Sequence, residues 1–188
     1  YQTLLKIEPQ LKKIELKKNI YPFLMKHVNK LFHFELSWLQ KDIDQKLPII
    51  DGYGSTEEMN KIFKKLIEFF GDIENAPYHT GDKGPEMACC INYVNNSPFY
   101  MPDVFVLYKN MKNIKIPKKD EIALKMVGKP FRSVLQLPIK KEDGDSGIIQ
   151  MVSFTRKVIL TQLEIDFLLH LVRLIPLEIY NVKKQPVS

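Results

Sequence analysis

Four histidines and two cysteines are the residues whose types could carry metal, nucleophilic or redox chemistry. His27, His33, His79 and His170 stand far apart. None falls at a ligand spacing from Cys, Asp or another His that would mark a metal site. Cys89 and Cys90 are neighbours. A trans peptide holds their Cα atoms ~3.8 Å apart, whereas a disulfide spans ~5.5 Å, so the pair does not read as a staple. Two readings of the pair stand: a redox sensor, if one thiolate is stabilised, or two small core residues on a short helix. Asp143 and Asp145 lie in a turn, where carboxylates bond the local backbone. No phosphate loop, Gly-x-Ser-x-Gly or His-Glu-x-x-His is present. The expectation is no catalytic residue, no metal ligand and no enzyme, with a thiol-dependent enzyme as the remote alternative.

Gln136 and Gln150 ask for a different explanation, because each interrupts an apolar stretch and a buried amide needs a partner. The elements that must position them are two strands and a helix. Along Arg132–Ile139, Leu135, Leu137 and Ile139 alternate with Val134, Gln136 and Pro138. Along Ile148–Phe154, Ile149 and Met151 alternate with Ile148, Gln150 and Val152. An acidic, Gly-containing turn joins the strands into a hairpin. Both faces are mostly apolar, so both should be covered. Helices should cover the aliphatic face. The face with Gln136 and Gln150 is the candidate floor of a polar-lined cavity; alternatively the two amides bond each other, backbone or water.

The closing helix opens with a capping box, Thr161-Gln-Leu-Glu164, and is mostly apolar from Leu163 to Tyr180, with Asp166, His170 and Arg173 forming one thin polar stripe. A helix this apolar needs cover on more than one side, from the sheet and from a partner helix. Upstream, Leu4, Ile7, Leu11 and Ile14 form a narrow helical stripe. Pro22 is expected to break or kink the run, and a second helix should cover Phe23–Phe34. Leu36–Leu39 and Leu47–Ile50 read as strands around a polar turn, with Asp51-Gly-Tyr-Gly54 ending the second. Ser55-Thr-Glu-Glu58 reads as a capping box for a helix over Glu57–Phe70 that Gly71 stops. A short strand at Ala76–Thr80, a helix at Met87–Val94, a brief strand at Phe99–Met101 and a helix at Glu121–Val127 follow. This order argues for an α+β fold with a mostly antiparallel central sheet.

The 188 residues suit one domain with a sizeable core, and 45% hydrophobic against 27% charged residues is the range of a globular protein. No apolar run reaches about 18 residues, so no membrane span is expected. Tyr1 opens no signal-peptide pattern, and the chain reads as an excised piece of a longer protein. The net charge of +6 is concentrated in residues 1–31, with seven lysines against two glutamates. That stretch has no arginine and no aromatic residue between its first position and Tyr21. It reads as a solvated helix face rather than a nucleic-acid surface. The cysteine usage points to a reducing compartment, hence the cytoplasm.

Four stretches, Pro98–Val104, Ser133–Ile139, Gly147–Val152 and Leu160–Glu164, stand in order. Together they resemble the second half of a GAF domain, a small-molecule sensor of bacterial signalling proteins related to PAS domains. The resemblance covers about residues 87–182; residues 35–80 match the family's element order only. It implies terminal helices on one sheet face and a ligand pocket on the other. Residues 1–34 would be a helical dimerisation or linker segment and residues 35–183 the sensor domain. It further implies a homodimer through the terminal helices and a covalently attached output domain, such as a diguanylate cyclase or kinase. The implied ligand-binding positions are Tyr93, Phe99, Tyr100, Asp103, Arg132, Gln136 and Gln150. Aromatic rings would stack a planar ligand while Arg132 or Gln136 fixes its polar edge. No cofactor is implied beyond a small ligand such as a cyclic nucleotide. Ser153-Phe154 departs from the Asn-Lys of cyclic-nucleotide-binding members, and Cys90 is followed by Ile91 where bilin-binding members usually carry His. A ligand-free dimerisation scaffold is the alternative.

Overall fold

The computed structural model describes residues 20–106, 116–142 and 144–179. The elements run α1 (Ile20–Phe32), β1 (Leu36–Lys41), β2 (Ile49–Gly54), α2 (Glu57–Phe70), α3 (Ala88–Val94), β3 (Phe99–Met101), α4 (Lys118–Val127), β4 (Ser133–Ile139), β5 (Gly147–Ser153) and α5 (Gln162–Arg173). A 3-10 turn at Leu177–Ile179 follows. The stripe Leu4–Ile14, Asp143 and the expected helical residue Tyr180 lie outside the described residues.

The strands form one antiparallel sheet in the order β2-β1-β5-β4-β3. The β4–β5 hairpin is as expected, and its register sets Gln136 opposite Gln150 and Leu137 opposite Ile149. Because side chains alternate, the sheet divides two cores. On one side Leu39, Leu135, Leu137, Ile149 and Met151 pack with Tyr21, Leu24 and Val28 of α1 and with Ile165, Leu168 and Val172 of α5. On the other, Leu36, Trp38, Val134, Ile148 and Val152 pack with Met59, Ile62, Leu66 and Phe70 of α2 and with Cys89, Cys90 and Tyr93 of α3. The two terminal helices therefore share one face, and the middle helices α2 and α3 cover the other.

Several local expectations change. Helix α1 starts at Ile20, three residues ahead of the expected Phe23, and includes Pro22; the upstream run that Pro22 was expected to break lies outside the described residues. Thr56, not Ser55, caps α2 by accepting from Met59 N at 3.2 Å. Asp51–Gly54 belong to β2 instead of ending it. Glycine there admits α2: a Cβ on Gly52 would lie 2.2 Å from the Phe63 ring. Ala76–Thr80 makes one isolated bridge, Tyr78 to Lys46, and no strand. Helix α4 begins three residues early, at Lys118. The closing helix stops at Arg173, with Leu174 as its cap and Pro176 beyond, where proline disfavours helix in the residue before it. Its Thr161–Glu164 capping box is present.

Two lysines hold the 71–87 connection that leads into α3. Lys46 Nζ donates to the Ile73 and Glu74 carbonyls at 2.6 and 3.2 Å. Lys119 Nζ donates to those of Asn75 and Ala76 at 3.0 and 2.9 Å and pairs with Glu86 at 2.8 Å. Among the described residues no helix is long and apolar enough to cross a membrane.

Candidate functional site

On the α2–α3 side of the sheet, three glutamines from adjacent strands share a face. Gln136 and Gln150 face each other across the hairpin, and Gln40 stands diagonally on β1, where Trp38 is the direct partner of Gln150. All three are buried. Gln136 Nε2 donates to Gln150 Oε1 at 2.9 Å, and Gln150 Nε2 donates to Gln40 Oε1 at 2.6 Å. Gln40 Nε2 ends the row on the Leu47 carbonyl at 2.7 Å. At the other end Asn92 of α3 donates Nδ2 to Gln136 Oε1 at 2.5 Å. Of the two readings of Gln136 and Gln150, the structure has the one in which the amides satisfy each other. This row of four amides is what makes their burial tolerable.

A second polar group closes the adjoining end of α3. Tyr93 Oη donates to Asp42 Oδ2 at 2.6 Å, and His79 Nε2 lies 2.9 Å from Asp42 Oδ1. The rings of His79 and Tyr93 meet edge to face with centroids 4.9 Å apart. Lys140 Nζ stands 4.1 Å from the Tyr93 ring centroid, within cation–π range. Burial first, and then the Asp42 carboxylate, push the Tyr93 phenol well above its usual range, so it stays a donor. His79 Nδ1 is buried and has no protein partner.

Seven positions were expected to line a pocket, and they occupy three places. Gln136 and Gln150 sit in the amide row, and Phe99 is the cross-strand neighbour of Gln136. Tyr93 is bound to Asp42 beside it. Tyr100 points into the opposite layer, where its hydroxyl donates to Val158 O at 2.6 Å and accepts from Leu160 N at 2.8 Å. Asp103 and Arg132 lie beyond the sheet edge and neutralise each other at 3.0 Å. Lys157 adds a second cation to Asp103 at 2.7 Å, and Phe105 N donates to its other oxygen at 3.2 Å. Lys157 first, helped by Arg132, holds the Asp103 carboxyl below its usual range against the opposing effect of burial. Arg132 also stacks over Phe105, 4.6 Å from its centroid.

Sequence reasoning missed Gln40, Asp42, His79 and Asn92. Gln40 carried one usable signal, the alternation Leu36–Trp38–Gln40 along a strand. The other three are joined by contacts spanning 37 to 51 positions, which no spacing rule reaches. A separate half-open groove of about 240 Å³ lies between Leu31–His33 and Lys157–Ile159, and the amides do not line it.

Among the described residues of this site no thiol is paired with a base, and the Tyr93 hydroxyl, bonded to Asp42, stays protonated. Cys89 and Cys90 are buried free thiols, and the neighbouring Cys90 together with burial pushes the Cys89 thiol well up, away from the thiolate. Among the described residues no group of three or more His, Cys, Asp or Glu could hold a metal ion. What the site offers is directed hydrogen bonding on a largely buried sheet face, roofed by a seven-residue helix.

Three solved structures place this architecture. A domain from an Acinetobacter phosphoenolpyruvate-protein phosphotransferase, described as a GAF domain, superposes with TM-score 0.59 at 11% identity, over 90% of this chain and 86% of that one. The fold is that of a GAF domain. An A. aeolicus nlh2 GAF domain in an inactive state gives TM-score 0.53 at 14% identity, covering 93% and 88%. A far-red-absorbing dark state with bound biliverdin IXa gives TM-score 0.58 at 15% identity, covering 89% and 91%. No family model matches the sequence, and no curated protein matches it. At these identities the likeness establishes the GAF fold itself.

Proposed function

We propose that this GAF domain is a non-catalytic regulatory sensor. A small ligand binds on the amide face, and the response passes through the sheet to α1 and α5. The observation that carries this reading is the division of labour across the sheet. One face is given over to the two terminal helices, and the other holds a buried polar row closed by the short helix α3. A ligand that replaced Asn92 at Gln136 would move α3, and with it Tyr93 and the Asp42–His79 contacts. To act as a signal it must bind the two arrangements with different affinity. The biliverdin-bound neighbour supports ligand binding by this fold. Action on an attached kinase or cyclase, a homodimer through the terminal helices, and a bacterial cytoplasmic setting belong to the same proposal; two unpaired thiols suit a reducing compartment.

The second reading, a ligand-free dimerisation scaffold, is favoured by the internal satisfaction of the amides. Thermal unfolding with cyclic AMP, cyclic GMP, biliverdin and a panel of metabolites separates the two. A ligand at 100 times its dissociation constant adds about 2.7 kcal/mol. A melt that no compound raises, in a chain that sediments as a dimer, would replace the sensor by the scaffold.

A further inference from the structure

The direction of the amide row is set at both ends by groups that have no choice of role. The Leu47 carbonyl only accepts, so Gln40 must turn its Nε2 toward it and its Oε1 toward Gln150. Gln150 then accepts from Gln136, which leaves Gln136 Oε1 pointing at α3. The near end agrees independently. Asn92 Nδ2 donates both to Gln136 Oε1 and to the Ala88 carbonyl at 3.3 Å, a second acceptor that forces the amide nitrogen to that side. Reversing any one amide would set two acceptors or two donors face to face, so the row cannot flip piecemeal.

We propose that this row reads ligands by hydrogen-bond polarity. A small molecule seated beneath α3 in place of Asn92 must present an N–H or O–H donor to Gln136 Oε1. The proposal rests on the sensor reading above and names its ligand class: small planar compounds bearing a primary amide, amino or comparable donor edge. Acceptor-only groups such as esters and ethers are rejected. The neighbourhood has the same sign. Asp42 already gathers donors from Tyr93, and Phe99 beside Gln136 supplies an apolar surface for a flat ring. The discrimination comes from the far end. A buried acceptor facing another acceptor loses its partner outright, which disfavours the wrong ligand more strongly than a lost contact at the surface would.

Two measurements test this. The first needs no ligand. Asn92→Ala removes the donor, whereas Asn92→Asp puts a carboxylate against Gln136 Oε1. At neutral pH N92D should melt below N92A by about 3 °C or more. The gap should close in acid, where the new carboxyl becomes a donor. Equal or reversed melts of N92A and N92D overturn the polarity. The second uses benzamide and methyl benzoate, which share shape but differ in the donor. Both are titrated into the 15N-labelled protein and followed on the backbone and side-chain amide signals. Benzamide should bind at least tenfold more tightly and lose that advantage in Gln136→Leu. Methyl benzoate binding equally well overturns the proposal alone. If neither fragment binds while the melts keep the expected order, the ligand class falls and the row is a structural lock, while the sensor reading stands or falls with the metabolite panel above.

Discussion

Removing amides from the buried row should be strongly non-additive, and the structure says by how much. Gln150→Leu deletes the middle of the row and strands two buried atoms, Gln136 Nε2 and Gln40 Oε1. Gln136→Leu strands one, Gln150 Oε1, because half-buried Asn92 can turn to water. The double variant strands only Gln40 Oε1. At about 1.5 kcal/mol for each buried polar atom left without a partner, the single changes cost about 3 and about 1.5 kcal/mol. The double costs about 1.5, against about 4.5 if the effects simply added. The coupling is therefore about 3 kcal/mol, well outside the few tenths expected of independent sites. Urea unfolding of the four proteins at neutral pH, with equal denaturant slopes, measures it. A double variant that loses the sum of the single losses would mean the amides stabilise independently, and the reasoning about a connected row would be refuted.

Three further outcomes follow from other parts of the fold. Glu35 Oε2 accepts from Ser153 Oγ, Phe154 N and both Thr155 N and Oγ1 at 2.6 to 3.1 Å. Burial raises its pKa, but these bonds outweigh it and leave the group below its ordinary value of 4.5. Its stabilisation is thus present above about pH 4.5 and lost as pH falls through the lower folded value. The melt of Glu35→Ala should lie below that of the parent at neutral pH, and the gap should narrow in acid; a constant gap would count against it. Asp120, half-buried at the start of α4 with Ala88 N donating to it at 2.9 Å, is pushed up by desolvation to about 6. Here the sign reverses: the folded state holds the proton more tightly, so stability declines as pH rises from about 4 to 6. Asp120→Asn keeps an acceptor for Ala88 without the charge and should flatten that decline, which melting curves across the window will show or exclude. Gly52→Ala drives a methyl into the Phe63 ring and should cost about 1–3 kcal/mol by urea unfolding, with partial rescue by Phe63→Leu; no loss would mean α2 can move off β2 freely.

The β4–β5 hairpin, its two faces, the α5 capping box and the α+β class were all legible because each depends on neighbours in sequence. Period-two alternation assigns Leu135, Leu137 and Ile149 to one side and Gln136 and Gln150 to the other, whatever the rest of the chain does. Boundaries were less legible where proline governed them. The same residue type that stands beyond the end of α5 at Pro176 lies inside α1 at Pro22.

Local order in the chain was thus enough to say that two amides lie on one apolar sheet face and that helices cover the other. It could not say who their partners are. Gln40 lies 110 positions from Gln150, Asn92 44 from Gln136, and Tyr93 51 from Asp42. Those pairs meet only because β1 inserts beside β5 and α3 lands over the hairpin. Strand alternation alone sets Tyr100 on the face opposite Phe99, whereas packing gave Asp103 to Arg132 and Lys157. Side-chain direction along a strand is a short-range property of the backbone. Hydrogen-bond partnership between strands and helices depends on sheet order and register, and those are settled when the two cores close.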